Sequence, residues 1–116
     1  MGAIIKEDLA TETARTVTFN SNSSGALSAN KVPAKISAFL NVTAVGATPN
    51  LVVKYQYSYN NELWNDVVSG AFTAVTAISK RELNGVAWPG AAQYYRYVGT
   101  ITGGTFDFTL KTIFHD

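Results

Sequence analysis

Hydrophobic and polar residues alternate with a period of two over most of the chain from Lys35 onwards. In KISAFLNVTAV (residues 35–45) one face of an extended backbone carries Ile36, Ala38, Leu40, Val42 and Ala44, and the other carries Ser37, Asn41 and Thr43. Residues 51–59 repeat the alternation with leucine, valine and tyrosine on the apolar face. This period is typical of half-buried β-strands, in which successive side chains point to opposite faces.

The same pattern predicts about seven short strands separated by turns. The predicted strands cover residues 15–19, 35–45, 51–59, 63–67, 71–79, 93–101 and 105–114. Turns are expected at GATPN (residues 46–50), at Asn60-Asn61 and at Gly103-Gly104, where the two glycines predict a tight hairpin. Residues 20–35 are polar and predict a loop. We therefore expect an all-β protein, an antiparallel β-sandwich with a jelly-roll-like topology.

The first residues do not share this pattern. Residues 1–12 have no clear period, and we interpret residues 1–13 as an extended N-terminal arm. The remaining residues, 14–116, are expected to form a single β-sandwich domain, since 116 residues is close to the commonest domain size.

Composition excludes several functional classes. With no cysteine and one histidine, a zinc site is disfavoured. A hard-cation site built from Asn61, Glu62 and Asp66 is the alternative, but their spacing is not that of an EF-hand, and we expect no metal site and no cofactor. The net charge is +1 and the largest basic cluster is Lys80-Arg81, so nucleic acid is not an expected partner. The N-terminal sequence MGAIIKEDLATETA does not resemble a signal peptide, and no apolar segment is long enough to span a membrane. Catalytic motifs such as GxSxG, the P-loop and HExxH are absent, and we predict that the protein is not an enzyme.

The aromatic segment VVKYQYSYNNELWND (residues 52–66) has two interpretations. Asn60-Asn61 favours a tight hairpin because asparagine tolerates the left-handed backbone of such turns. In the preferred interpretation, the tyrosines of this segment and Trp64 pack in the core and across the hairpin. Alternatively, they stack on a sugar ring, as in carbohydrate-binding modules. The two carboxylates, Glu62 and Asp66, are expected to be solvated turn residues.

A second group of residues suggests contact with a partner. Trp88, within NGVAWPG, is either an exposed anchor or a lid on the end of the sandwich. The strand at 93–101 is bulky on both faces, and Phe39 and Ile113 are apolar residues on nominally polar faces. Such surfaces favour burial against another subunit. The candidate interface residues are Ile4, Ile5, Leu9, Phe39, Trp88, Tyr94, Arg96 and Ile113.

The segment LVVKYQYSYNNELWNDV resembles one common in small phage and prophage virion proteins, where an alternating strand precedes Ser-x-Asp-Gly, a spacer and Trp. LNVTAVGATPNLVVKYQYS is similar to that group's opening hairpin, FTAVTA to its next strand and YYRYVGTITGGTFDFTLKTIF to its closing pair. The resemblance covers residues 36–114. This chain departs from the group by having Asn60-Asn61 in place of Asp-Gly and by inserting SKRELNGVAWPGAA (residues 79–92).

The resemblance implies a structural component of a virion, specifically a capsid decoration (cement) protein. Such a protein is made in the host cytoplasm, binds the outer surface of the major capsid protein and bridges its subunits. By analogy with the group it is a homo-oligomer, with a trimer expected at three-fold junctions. Two alternatives stay open: a tail or head-fibre component, and a glycan-binding β-sandwich module.

Overall fold

A computed structural model describes residues 3–21, 25–27, 33–90 and 92–116. Within these ranges the chain has no helix, and seven β-strands form one antiparallel sheet. The strands are β1 (Ile4–Arg15), β2 (Phe19–Asn20), β3 (Gly25–Ala26), β4 (Lys35–Ser58), β5 (Asn65–Ala71), β6 (Ser79–Ala87) and β7 (Tyr94–His115). The all-β antiparallel class predicted from the alternation is confirmed.

The sheet is built on β4 and β7, which pair with each other from end to end. The turns predicted at residues 46–50 and at Gly103-Gly104 are therefore wrong, because both strands continue through these positions. Gly46 pairs with Thr105 and Asn50 pairs with Gly103, so residues 47–49 bulge opposite a single residue of β7. Such a bulge bends a strand and increases its twist.

The bend divides the sheet into two layers that pack face to face. The first layer contains β1, β6, residues 35–46 of β4 and residues 105–115 of β7; the second contains β2, β3, β5 and the other halves of β4 and β7. Side chains meet between the layers: the ring centroids of Tyr95 and Phe114 lie 4.7 Å apart, and the Tyr55 and Thr112 hydroxyls are 2.5 Å apart. Because one continuous pair of strands forms both layers, the pairing does not confirm the jelly-roll topology.

The core lies between the two layers and follows the predicted alternation closely. Alternate residues are buried in β4 over residues 36–42 and 51–55 and in β7 over residues 95–99 and 106–114, as expected where one face of a strand meets a core. The largest of these fully buried apolar side chains are Tyr55, Phe106, Phe108, Phe114, Ile36, Leu40, Leu51 and Leu110.

The hairpin predicted at Asn60-Asn61 is present and joins β4 to β5. Tyr57 pairs with Asn65, and Asn61 has the left-handed φ of 62°. The alternation ends at Ser58, which is fully buried and accepts hydrogen bonds from the backbone N–H groups of Asn60 and Asn61 at 3.2 and 2.8 Å. Asn60 Oδ1 in turn accepts the N–H groups of residues 62 and 63, both at 2.9 Å. Short polar side chains commonly satisfy turn donors in this way.

Between β5 and β7 the structure lacks one predicted strand and contains one strand that was not predicted. The predicted strand at 71–79 forms only an isolated bridge between Val75 and Leu51. Phe72 and Val75 are both buried, a spacing of three that a regular strand does not give. The inserted segment at 79–92, in contrast, contains β6, which pairs with the first half of β4.

The segment predicted as an N-terminal arm contains β1. Described residues from Ile4 onwards pair with β7, and the strand runs past residue 13 to Arg15. Residues 1 and 2 of the predicted arm, and residues 22–24 and 28–32 of the predicted loop, lie outside the described residues.

Candidate functional site

The first layer has an outer side, directed away from the core, that carries large apolar residues. The side chains exposed there are Leu9 (72%), Ile4 (53%) and Phe39 (41%). Leu9 pairs with Lys111 and Lys111 pairs with Phe39, so these three residues form one row across the sheet. Ile113 lies two residues from Lys111 on the same side and is buried. We call Ile4, Leu9, Phe39 and Ile113 the outer apolar face.

Charged groups of both signs lie among the residues of the outer apolar face and beside them. Lys111 Nζ lies 3.1 Å from a carboxylate oxygen of Glu7, with both side chains nearly half exposed. Glu82 pairs with Phe39 and is exposed at the other end of the row. An exposed pair of this kind contributes at most about 1 kcal/mol to folding. The face therefore combines exposed apolar side chains with charged groups of both signs, and Lys111 lies within the row, between Leu9 and Phe39.

Four of the eight interface residues predicted from the sequence make up this face, and Ile5 adjoins it. Ile5 lies at the register shift between Ile4 and Lys6 and is half-buried. Ile113, although on the predicted face, is itself only 4% exposed. It therefore does not project from the face.

Trp88 is buried, at 5% exposure, which excludes the exposed anchor and favours the lid. Its ring meets the rings of Phe114 and Tyr57 edge-on at centroid distances of 5.1 and 6.4 Å. Its indole N–H donates to the carbonyl of Ala92 at 3.1 Å, so the polar atom of the ring is satisfied. Trp88 belongs to the core of this chain.

Tyr94 and Arg96 lie on the opposite outer side, on the second layer. The Arg96 guanidinium stacks over the Trp64 ring at 4.5 Å, and its Nε–H donates to Gln56 at 2.7 Å. Gln56 donates to Asp66 at 2.8 Å, and Lys54 lies 3.0 Å from Asp66. These bonds, first from Gln56 and then from Lys54, lower the pKa of the Asp66 carboxyl. The result is a polar network beside a half-buried tryptophan.

His115, at the end of β7, is buried at 3% exposure. Its Nε2 lies 2.8 Å from the hydroxyl of Ser37, which also accepts the N–H of Gly85 at 2.9 Å. Its Nδ1 lies 2.9 Å from the carbonyl of Asp116. Serine and histidine at this distance can act as nucleophile and base. Here, however, Ser37 is 4% exposed, and the pair holds β4, β7 and the β6 bulge together.

A further group of polar residues lies between the layers. Tyr95 and Tyr97, on the second layer, donate hydrogen bonds to the carboxylates of Asp8 and Glu12 on β1. Burial raises the pKa of the Tyr95 and Tyr97 hydroxyls above 10.0, and the carboxylates raise it further. Glu12 also lies 2.7 Å from Arg15. Sequence reasoning missed these contacts, although Lys6, Asp8 and Glu12 do alternate along β1.

Other features of the described residues do not form a stronger site. An open pocket of about 290 Å³ at the bend is lined by Ala14, Ala44, Val45, Gly46, Thr105 and Asp107. Asp107 accepts the backbone N–H of Ala14 at 2.6 Å, so the carboxylate is already engaged there. In the described part of the chain no three histidine, cysteine or acidic residues cluster as metal ligands. The same residues include no helix that is long and apolar enough to cross a membrane.

Comparison with known proteins gives no family. No family model and no curated protein matches the chain. Among solved structures, the chain is similar to PirA, with 14% identity over 94% of this chain and 93% of that chain and a TM-score of 0.48. It is also similar to the Yersinia pseudotuberculosis-derived mitogen, with 9% identity over 100% of this chain and 89% of that chain and a TM-score of 0.40. These distant likenesses extend no further than a β-rich architecture.

Proposed function

We propose that this protein is a structural component of a phage particle, a capsid decoration protein that docks on the major capsid protein through the outer apolar face. The observation that carries the proposal is the exposure of Ile4, Leu9 and Phe39 on one side of the sheet. Covering a large apolar side chain contributes about 1.5–3 kcal/mol when burial is complete. The resemblance of residues 36–114 to small virion proteins supports the choice of partner.

The mechanism of this function is mechanical. A copy bound across the junction of two capsid subunits buries surface that must be exposed again before the shell ruptures, so binding favours the intact shell by mass action. Because β1 is already a strand of the sheet, it presents Ile4 and Leu9 without first having to order on the shell. Docking a preformed surface costs less conformational entropy than ordering a free arm.

The proposal is tested by asking whether the chain co-purifies with phage particles and whether one substitution abolishes this binding. We expect the wild-type chain to be abundant in purified virions and to raise their rupture temperature. Phe39→Asp should abolish both effects, because it replaces an exposed apolar ring of the docking face with a carboxylate that must be desolvated on docking. Val68→Asp is the matched control, since Val68 is 84% exposed on β5, away from this face. Particles that lack the chain, or that bind Phe39→Asp as well as wild type, would exclude this function.

A tail or head-fibre component is distinguished from decoration by its copy number. Decoration requires hundreds of copies per particle, and a tail-tip protein only a few. The ratio of this chain to the shell protein in purified particles, measured by quantitative gel analysis, separates the two roles.

The second candidate function is glycan binding on the second layer. Tyr59 is 58% exposed, and Trp64 is half-buried beside the polar network of Gln56, Asp66 and Arg96. An aromatic ring next to hydrogen-bonding side chains is a common way to bind a sugar. A glycan array that detects binding by the wild-type chain and none by a folded Trp64→Ala variant would favour this function over decoration.

A further inference from the structure

The outer edge of β1 has no partner strand within the described residues. β1 lies at one end of the strand order and pairs with β7 alone. Its pairing is regular from Lys6 to Glu12, with register shifts before and after this stretch. An open, regular edge presents unpaired backbone N–H and C=O groups, which is the template that another strand recognises.

We infer that a second copy of this chain pairs with β1 in antiparallel fashion, about a two-fold axis that passes through Leu9. Leu9 is the middle residue of the regular stretch, so this register pairs all of that stretch with its copy. Lys6 then lies opposite Glu12 of the second copy, and by symmetry Glu12 lies opposite Lys6 of the second copy. The two Leu9 side chains meet on the axis, which covers the most exposed residue of the outer apolar face.

The charges of β1 disfavour the neighbouring registers. An axis at Glu7 or Asp8 would place that carboxylate opposite its own copy, and an axis at Ala10 would place Asp8 opposite Glu12 twice. Like charges directly opposite each other are destabilising. A two-fold axis placed between two residues would pair core-facing residues of one copy with outward-facing residues of the other. The core faces of the two sheets would then lie on opposite sides. Among the axes that use most of the regular stretch, the one at Leu9 avoids all of these conflicts.

The other outer edges are less regular. In β5, Ser69 has the left-handed φ of 60°, and its pairing with β4 shifts register between Lys54 and Gln56. In β6, Gly85 has a φ of 62° beside a register shift between Ile36 and Ala38 of β4. Bulges of this kind protect an edge from pairing. The regular part of β1 therefore is the edge suited to a second copy.

The dimer would join the two outer apolar faces into one surface. Antiparallel pairing of the two β1 strands continues the sheet from one copy into the other. The outer side of the first layer in one copy is therefore continuous with the outer side of the first layer in the second copy. Ile4, Leu9 and Phe39 of both copies then lie on the same side. This inference concerns the free protein in solution and does not depend on the capsid.

Cysteine cross-linking tests the axis directly, because the natural chain contains no cysteine. Residues directly opposite in an antiparallel pair have Cα atoms about 4.5–5.5 Å apart, within the range of a disulfide. Under mild oxidation we expect Leu9→Cys to form a covalent dimer rapidly. Val68→Cys, at a position on β5 that is at least as exposed, is the matched control and should cross-link only by slow collision. Equal rates for the two variants would overturn the inference.

Solution mass provides the second readout. Light scattering of the wild-type chain should give twice the monomer mass, falling towards the monomer on dilution. Leu9→Lys places two positive charges across the axis and should give a monomer whose circular dichroism is unchanged. A wild-type monomer at every concentration, a wild-type trimer, or a Leu9→Lys variant that is still dimeric would each overturn the inference.

Discussion

The two tryptophans show how far a residue's environment depends on its contacts. Trp88 lies in a Gly- and Pro-containing segment that left both an exposed anchor and a lid open, and it is buried against Phe114 and Tyr57. Trp64 lies in the hairpin, is half-buried and stacks on Arg96 from a different strand. Neither environment can be inferred from neighbouring residues, because the contacting rings and charges come from distant parts of the chain.

We expect Trp88→Ala to lower the free energy of unfolding by about 3–5 kcal/mol, the usual cost of truncating a buried aromatic residue. Trp64→Ala is the matched control and should cost about 1 kcal/mol, mainly the lost contact with Arg96. Urea unfolding followed by circular dichroism measures both. Similar losses for the two variants would contradict the different burial of the two rings.

At the scale of elements, alternation located the main strands well and turn residues located their ends poorly. The hairpin at Asn60-Asn61 was predicted correctly because its donors are satisfied locally, by Ser58 and Asn60. Gly103-Gly104 resembles a hairpin signal, but β7 continues through both glycines. A Cβ on Gly103 would lie 2.5 Å from the Thr48 carbonyl, so glycine is needed there because another backbone passes close by. The approach of a distant strand leaves no local pattern in the sequence.

Gly104→Ala tests the bend. Gly104 has a φ of 83°, and an added Cβ would lie 2.5 Å from the Gly46 carbonyl and 2.7 Å from Pro49 Cα. We expect the variant to lose about 1–3 kcal/mol of stability, or more if the strands separate. Gly90→Ala is the control, since an added Cβ there contacts nothing within 4 Å. Equal thermal denaturation midpoints for the two variants would show that the close approach does not matter.

At the scale of the whole molecule, the layers are joined by polar contacts as well as by the apolar core. Tyr95 and Tyr97 bond to β1, and Tyr55 bonds to Thr112. Burial is the main cause of the raised pKa of all three hydroxyls. The folded state therefore holds these protons more tightly than the unfolded chain, whose tyrosines have a pKa of about 10.

This difference in pKa predicts a loss of stability in alkali. The contribution of the three tyrosines is fully present below pH 10.0 and is lost as the pH rises towards their folded-state pKa values. We expect the free energy of unfolding, measured in urea, to fall steeply above that pH. Tyr97→Phe should cost about 0.5–1.5 kcal/mol at neutral pH and give a shallower alkaline decline. Tyr59→Phe, at an exposed position, should leave the wild-type decline unchanged; an equal decline in Tyr97→Phe would contradict the assignment.

The sequence by itself determined the all-β class, the alternating strands that supply the core, the Asn60-Asn61 hairpin and most residues of the outer apolar face. Each of these features depends on the direction of side chains along a short stretch of backbone, and the local order of apolar and polar residues is enough to predict that direction. Only the tertiary structure decided that β4 and β7 continue through their glycines, that β1 and β6 join the sheet, and that Trp88, Ile113 and His115 are buried. Those outcomes depend on which distant segments meet, and strands far apart in the chain gain their stabilising contacts only after they have come together.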